Sequence, residues 1–173
     1  MAMIITTAAE VPVQVIDRPA QVTIRAVSFR EILNAPNAAE LLRAYAEESL
    51  FPDPVPQQAV YAVLEQAHVL KCFGAYSGST NLLIGFISVL VAVMPHHGRL
   101  IATSESLFVD PAYRSAGVGN LLLTAGEQHA IKFGCEAFMC LARIGGSFEK
   151  LLARRDGYHP THEQHTKWLG GRS

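Results

Sequence analysis

Apolar and polar residues alternate over Gln21 to Phe29 (Gln-Val-Thr-Ile-Arg-Ala-Val-Ser-Phe). Val22, Ile24 and Ala26 stand against Thr23, Arg25 and Val27, which predicts a first strand. The period then lengthens. After Asn37, a residue suited to cap a helix, Leu41, Leu42, Tyr45 and Ala46 recur at helical spacing and the pattern stops near Leu50. Phe51-Pro-Asp-Pro-Val-Pro56 cannot continue a helix, because each proline removes a donor and fixes φ, so it is read as a rigid loop. A second helix is predicted from about Pro56 to Ala67, with Val60, Val63 and Leu64 inward.

Three apolar runs follow, separated by turn residues. Val69 to Tyr76 and Leu82 to Met94 are joined by Ser77-Gly-Ser-Thr-Asn81, and Pro95-His-His-Gly98 leads to Arg99 to Val109. Short turns between strands predict an antiparallel meander. On the third of these strands alternation would place Thr103, Glu105, Leu107 and Val109 on one face. Val118 to Phe133 reads as a helix, with Leu122, Ala125, His129 or Ala130, and Phe133 on its apolar stripe and Gly134 just past its end. Cys135 to Ala142 is a strand, Ser147 to Arg155 a short helix, and Gly157 to Leu169 a last strand or hairpin. Residues 1–20 carry Pro12, Pro19 and many β-branched residues, and read as an extended arm or an extra edge strand. The order β-α-α-β-β-β-α-β-α-β is that of a single mixed α+β domain over residues 21–173.

Composition narrows the class. Of 173 residues half are hydrophobic and 17% are charged, which excludes a disordered chain. The formal charge of −1 offers no basic field for general nucleic-acid binding. Cys72, Cys135 and Cys140 are too few and odd in number for a disulfide framework, which suits a reducing compartment. The longest apolar stretch, Leu82 to Met94, is 13 residues and falls short of a membrane span, and no secretory leader is visible. A soluble, cytoplasmic protein without a membrane partner is expected. A homodimer is expected too, with the N-terminal arm and the long strand from Leu82 as surface to bury.

The segment that carries chemistry runs from Ser106 to Leu123. A strand ends at Val109, and a loop holding Arg114, Ser115, Ala116, Gly117 and Gly119 opens a helix near Val118. Glycines let a ligand touch the backbone, free N–H groups of a first helical turn face that space, and the helix dipole favours an anion there. Arg114 could grip a phosphate oxygen. No Gly-Lys-Ser/Thr triplet follows, and after Gly117 and Gly119 comes Leu122 rather than a third glycine, so neither Walker A nor the dinucleotide fingerprint is present. Taken alone, Arg-x-x-Gly-x-Gly is equally a plain helix start with two turn glycines.

In its whole context the segment resembles the central motif of the GNAT superfamily of N-acetyltransferases, Arg/Gln-x-x-Gly-x-Gly/Ala, here Arg114 to Gly119. The Val109-Asp-Pro-Ala-Tyr-Arg114 run, Glu105 four residues before Val109, the strand from Cys135 and the Gly157-Tyr158 pair come in the expected order. The resemblance implies acetyl-CoA as cosubstrate. It implies a pyrophosphate on the amides of Arg114, Ser115, Ala116, Gly117, Val118, Gly119 and Asn120. It further implies a pantetheine arm paired like a strand with Leu107, Phe108 and Val109, and a thioester where that strand splays from the next one. Amides near Leu107 to Val109 would polarise the thioester carbonyl. An amine acceptor, a small molecule or a peptide, would attack directly, with no covalent enzyme intermediate.

A protonated amine must lose a proton before it attacks, and the resemblance makes Glu105 the base. The other reading of Glu105 is a solvated or structurally paired carboxylate. One departure stands out: where many members carry a tyrosine acid four residues before a Gly-Phe pair, this chain has Ala153, and the aromatic of the short helix is Phe148. Tyr158 reads as core. His159, His162 and His165 are three apart, which alternates faces on a strand and does not chelate, so no metal site is expected. Glu47, Glu48 and Asp53 near the loop Leu50 to Gln57 read as a solvated acidic face beside the acceptor site, and Trp168 as a packing residue. A second function on the same fold, a non-catalytic CoA-binding or regulatory module, fits the same residues.

Overall fold

Strand β1, Val22–Val27, ends one residue before Ser28, where the chain turns into a short helix that the alternating pattern does not announce. Ser28 and Glu31 form a capping box: the Ser28 amide donates to the Glu31 carboxylate at 2.6 Å and the Glu31 amide to Ser28 Oγ at 3.2 Å. This fixes helix α1, Phe29–Leu33, so Phe29 is helical rather than the end of a strand. The computed structural model describes residues 22–49 and 56–167. The N-terminal arm, most of the proline loop with Asp53, and Trp168 lie outside them.

Helix α2 covers Ala38–Glu48 and α3 Gln58–Gln66. Asn37 precedes α2 but does not cap it with its side chain; Nδ2 donates instead to the Leu83 carbonyl at 2.8 Å and pins the helix to the sheet. On α3 the inward residues are Tyr61 and Leu64, while Val60 and Val63 are exposed, contrary to the expected stripe. The meander follows as β2, Leu70–Ser77, β3, Leu83–Met94, and β4, Arg99–Val109. A 3₁₀ turn over Pro111–Ala116 leads to α4, Val118–Phe133, then β5, Ala137–Cys140, and α5, Ser147–Leu152.

The five strands form one sheet in the order β1-β2-β3-β4-β5, antiparallel except for the parallel pair β4–β5. Helix α4 covers one face, burying Val118, Leu122, Leu123 and Ala130 against Ile87, Val89, Ala102 and Val109. Phe133, expected on that stripe, is exposed, with its ring beside His129, centroids 5.5 Å apart. Helices α1 to α3 cover the other face, over Val27, Phe29, Ile32, Leu41, Cys72, Phe86 and Phe108. Each fully buried aliphatic or aromatic side chain in these layers contributes about 1.5–3 kcal/mol. β3 is apolar at all but Ser88 from Leu83 to Val91, where it is covered on both faces, and its C-terminal end at Ala92 and Val93 is exposed. The sheet edge at β5, with Met139 and Leu141 exposed, is the more accessible flank.

The expected alternation on β4 breaks at one point. Ser88 pairs with Ser106 and Val89 with Ser104, so Glu105 has no partner and forms a β-bulge. The side-chain parity flips there. Leu100 and Ala102 face α4 before the bulge, and Leu107 and Val109 face α4 after it. Glu105 is thus not on the face of Leu107 and Val109; it turns with Ser106 and Phe108 toward α1–α3. A final strand is not formed over the described residues 157–167, which run irregularly. Arg155 and Tyr158 draw that segment back onto α4, and Pro160 cannot donate to a ladder. No helix among the described residues is long and apolar enough to cross a membrane.

Candidate active site

Two features meet at the C-terminal half of β4, one on each side of the sheet. The first is an open edge. β5 pairs with Ile101 to Ser104 and ends at Cys140, so from Glu105 to Val109 no strand among the described residues lies on that side of β4. The Asp110 amide donates to the Ile84 carbonyl at 2.9 Å, toward β3. By alternation the backbone groups of Leu107 and Val109 point the other way, into the open edge, and those of Phe108 point to β3. The Phe108 side chain is core: its ring lies edge-on to Tyr45, centroids 5.8 Å apart. Of these three residues, Leu107 and Val109 present their backbone groups to a ligand at the edge, and Phe108 is committed to β3 and the core.

The edge runs directly into the turn. Asp110 Oδ1 accepts from the Ala112 amide at 2.9 Å and starts the 3₁₀ turn, with Pro111 in its first position. The turn ends at Gly117, whose φ of 74° is left-handed and suits glycine. The first bond of α4 runs from the Leu121 amide to the Gly117 carbonyl, and no side chain caps the helix. The amides of Val118, Gly119 and Asn120 therefore lie ahead of the ladder, at the positive end of the helix dipole. Ser115 and Ala116 are exposed on the turn, and Val118 is buried, so it offers only its amide. Gly119 is small for a different reason: a Cβ there would lie 3.0 Å from Leu151 Cδ2 on α5.

Arg114 is not aimed at these amides. Its Nε donates to the Val109 carbonyl at 3.0 Å and Nη2 to Glu48 Oε1 at 2.6 Å, and its guanidinium carbon lies 5.5 Å from the Phe108 ring centroid. Asn120 Oδ1 accepts from Arg155 Nη1 at 3.2 Å.

The second feature lies on the α1–α3 face. At the bulge the exposed Glu105 faces α3, where Tyr61 Oη donates to Glu105 Oε1 at 3.0 Å. The Tyr61 ring is stacked on Phe29, centroids 3.6 Å apart, and the Phe29 amide is held by Glu65. Burial raises the Tyr61 hydroxyl pKa well above its ordinary value, and the Glu105 charge and the hydrogen bond add to this. The phenol therefore stays a donor. Tyr45 is raised too, by burial first and then by Glu105. Beside Glu105, the Ser106 hydroxyl is buried with no hydrogen-bond partner. It continues a row across the strands from Cys72 and Ser88, whose Sγ and Oγ are 3.3 Å apart. Burial pushes the Cys72 thiol up to about 12, which makes it a packing group and not a nucleophile.

A proton donor on α5 is missing: Phe148 packs against the α4-side core. Tyr158 is engaged elsewhere. Its hydroxyl donates to Glu127 Oε1 at 2.7 Å, and its pKa is raised by burial and then by that bond. Glu127 also takes the Arg155 guanidinium, whose Nη2 reaches Thr124 Oγ1 at 2.9 Å. His159, His162 and His165 are exposed, and among the described residues no group of three or more His, Cys, Asp or Glu could hold a metal. An open cleft of about 550 Å³ lies away from both features, between the C-terminal half of α4, β5 and Arg155.

Glu105 and the Leu107–Asn120 segment are thus brought to one place. Tyr61 and the Ser106 hydroxyl are groups to which the sequence pattern gave no role, and Glu48, read there as part of a solvated acidic face, is instead paired with Arg114. Tyr61 is 44 positions from Glu105 and on another helix, so no local signal links them.

The profile of the Acetyltransferase (GNAT) family matches residues 36–144. No curated protein sequence matches the chain. Among solved structures, the chain is similar to a ribosomal-protein-alanine N-acetyltransferase from Brucella melitensis biovar Abortus 2308, at 17% identity and a TM-score of 0.65, covering 86% of this chain and 100% of that one. It is similar to an aminoglycoside acetyltransferase from an uncultured soil metagenomic sample, in complex with sisomicin, at 18% identity and a TM-score of 0.66, covering 87% and 97%. It is also similar to AAC(6')-Iy in complex with the bisubstrate analogue CoA-S-monomethyl-acetylneamine, at 18% identity and a TM-score of 0.64, covering 87% and 99%. At these identities the likeness shows the fold.

Proposed function

The chain belongs to the GNAT acetyltransferase family, and from that premise we propose that it is an N-acetyltransferase that moves an acetyl group from acetyl-CoA to an amine. The observation that carries the reading is the bulge at Glu105. This irregularity leaves an unpaired carboxylate on the α1–α3 face, at the point where the opposite edge of β4 loses its pairing with β5. A reacting carbon at that edge would sit between a base on one side and backbone donors on the other.

The residues fit the donor. The open edge presents the backbone groups of Leu107 and the amide of Val109 to an amide-bearing arm, with the Val109 carbonyl held by Arg114, and the uncapped amides of Val118, Gly119 and Asn120 suit phosphate. When bound, acetyl-CoA supplies an acetyl carbon activated by its thioester. The amides of Leu107 and Val109 face the edge where negative charge develops on the carbonyl oxygen. Glu105 takes the proton that the attacking nitrogen must lose, while Tyr61 holds one carboxylate oxygen and leaves the other free. With Phe148 on α5 and Tyr158 tied to Glu127, the leaving sulfur is protonated by water.

The same reading puts the enzyme in the cytoplasm, where Cys72, Cys135 and Cys140 stay as thiols, and pairs it as a homodimer, for which the exposed end of β3 at Val93 offers surface to bury. The test is thiol release from acetyl-CoA with a panel of small amines, aminoglycosides and peptides. Release with one class of amine supports the proposal and names the acceptor. Binding of acetyl-CoA without release by any amine would replace it with a non-catalytic CoA-binding module.

A further inference from the structure

Arg114 stands on the path that a donor would take. Its Nε occupies the Val109 carbonyl on the open edge, and its Nη2 is held by Glu48, the last residue of α2. The contact joins the helix layer on the acceptor side to the turn that leads into α4. Both side chains are partly exposed, 32% for Arg114 and 46% for Glu48, so an incoming anion can reach the pair. The neighbouring Glu47 is turned elsewhere and faces Arg43 at 3.9 Å.

We propose that Glu48 sets the donor affinity of this chain, by holding Arg114 on the β4 edge and on α2 so that a phosphorylated, strand-like ligand must displace it. The inference rests on the donor reading given under the proposed function. A carboxylate and a phosphate oxygen compete for the same guanidinium donors, and the one already in place must be released before the other is bound. An arm that pairs with β4 also needs the Val109 carbonyl, which Arg114 covers. Glu48 is then a positioning residue: it acts through Arg114 and touches no reacting atom.

The test uses CoA as the ligand, by calorimetry, on the whole chain. Glu48→Gln should tighten CoA binding by about two- to fivefold, the worth of one partly exposed ion pair. The KM for acetyl-CoA should fall by the same factor with kcat unchanged. Glu47→Gln, the same charge change on the next residue, should leave the affinity as it was. In an Arg114→Ala background, Glu48→Gln should have no effect. Unchanged or weaker binding by Glu48→Gln, in a chain whose wild type binds CoA, overturns the inference. So does a tightening that persists without Arg114, since that is plain charge repulsion. Absence of CoA binding in both wild type and Glu48→Gln overturns the donor reading itself, and the inference with it.

Discussion

Tyr61 Oη donates to Glu105 Oε1 at 3.0 Å, from a helix that otherwise packs its ring on Phe29. The bulge sets this apart from the rest of the strand: Glu105 keeps the parity of the N-terminal half of β4, where Leu100 and Ala102 face α4, and the extra residue is what puts Leu107 and Val109 on the opposite face from it. The base is held in place by a side chain 44 positions away on α3.

Glu105→Gln should keep CoA affinity and lower turnover by roughly 10²–10⁴-fold, the usual weight of a general base. The loss should shrink at high pH, where more of the amine is already neutral. Steady-state rates across pH check this, and full activity of the variant at every pH would move the base elsewhere.

Tyr61→Phe should lower kcat by roughly tenfold, because a hydrogen bond to a charged group is worth about 1.5–3 kcal/mol where it is sheltered and less where the acceptor is exposed. The ring still stacks on Phe29, so thermal stability should barely change. A large fall in melting temperature with no change in kcat would make the bond structural only.

Gly119→Val should destabilise the domain by about 1–3 kcal/mol through overpacking, because its side chain would run into Leu151. Leu151→Ala in the same chain should return part of that loss, measured by denaturant unfolding. Equal losses in the single and double variants would show that the Leu151 contact is not what keeps the position small.

Stability should fall as pH rises above about 9. The Cys72 thiol moves from 9.0 to about 12 on folding, so between these values the unfolded chain releases a proton that the folded chain keeps. A raised folded pKa gives stability that is complete below the unfolded value and is lost through this window. Tyr61 and Tyr158, raised in the same direction from 10.0, extend the decline further into base. Cys72→Ala should have a shallower loss of melting temperature between pH 9 and about 12 than wild type; parallel slopes would rule the thiol out. For the same reason activity should show no falling limb from a tyrosine near pH 9–10, since neither phenol ionises there.

Local signals were enough for the order of elements from α2 to α5. The meander, the helix from Val118 and the loop from Arg114 to Gly119 are written in runs of a few residues, whose turns and periods act within their own neighbourhood. Even α1, which the alternation of β1 conceals, has its signal in Ser28 and Glu31. What depends on two distant segments was not legible there. The bulge at Glu105 is a property of the register between β3 and β4, not of β4 alone. The unbuilt strand after Gly157 reflects the pull of Glu127 on Arg155 and Tyr158. Arg114 has the residue type for a phosphate grip, yet its direction is set by Val109 and by Glu48, 66 positions away. Residue type and spacing determine what chemistry a chain can offer. Only packing decides which way each group points, because a side chain goes to the strongest partner that the folded chain brings within reach.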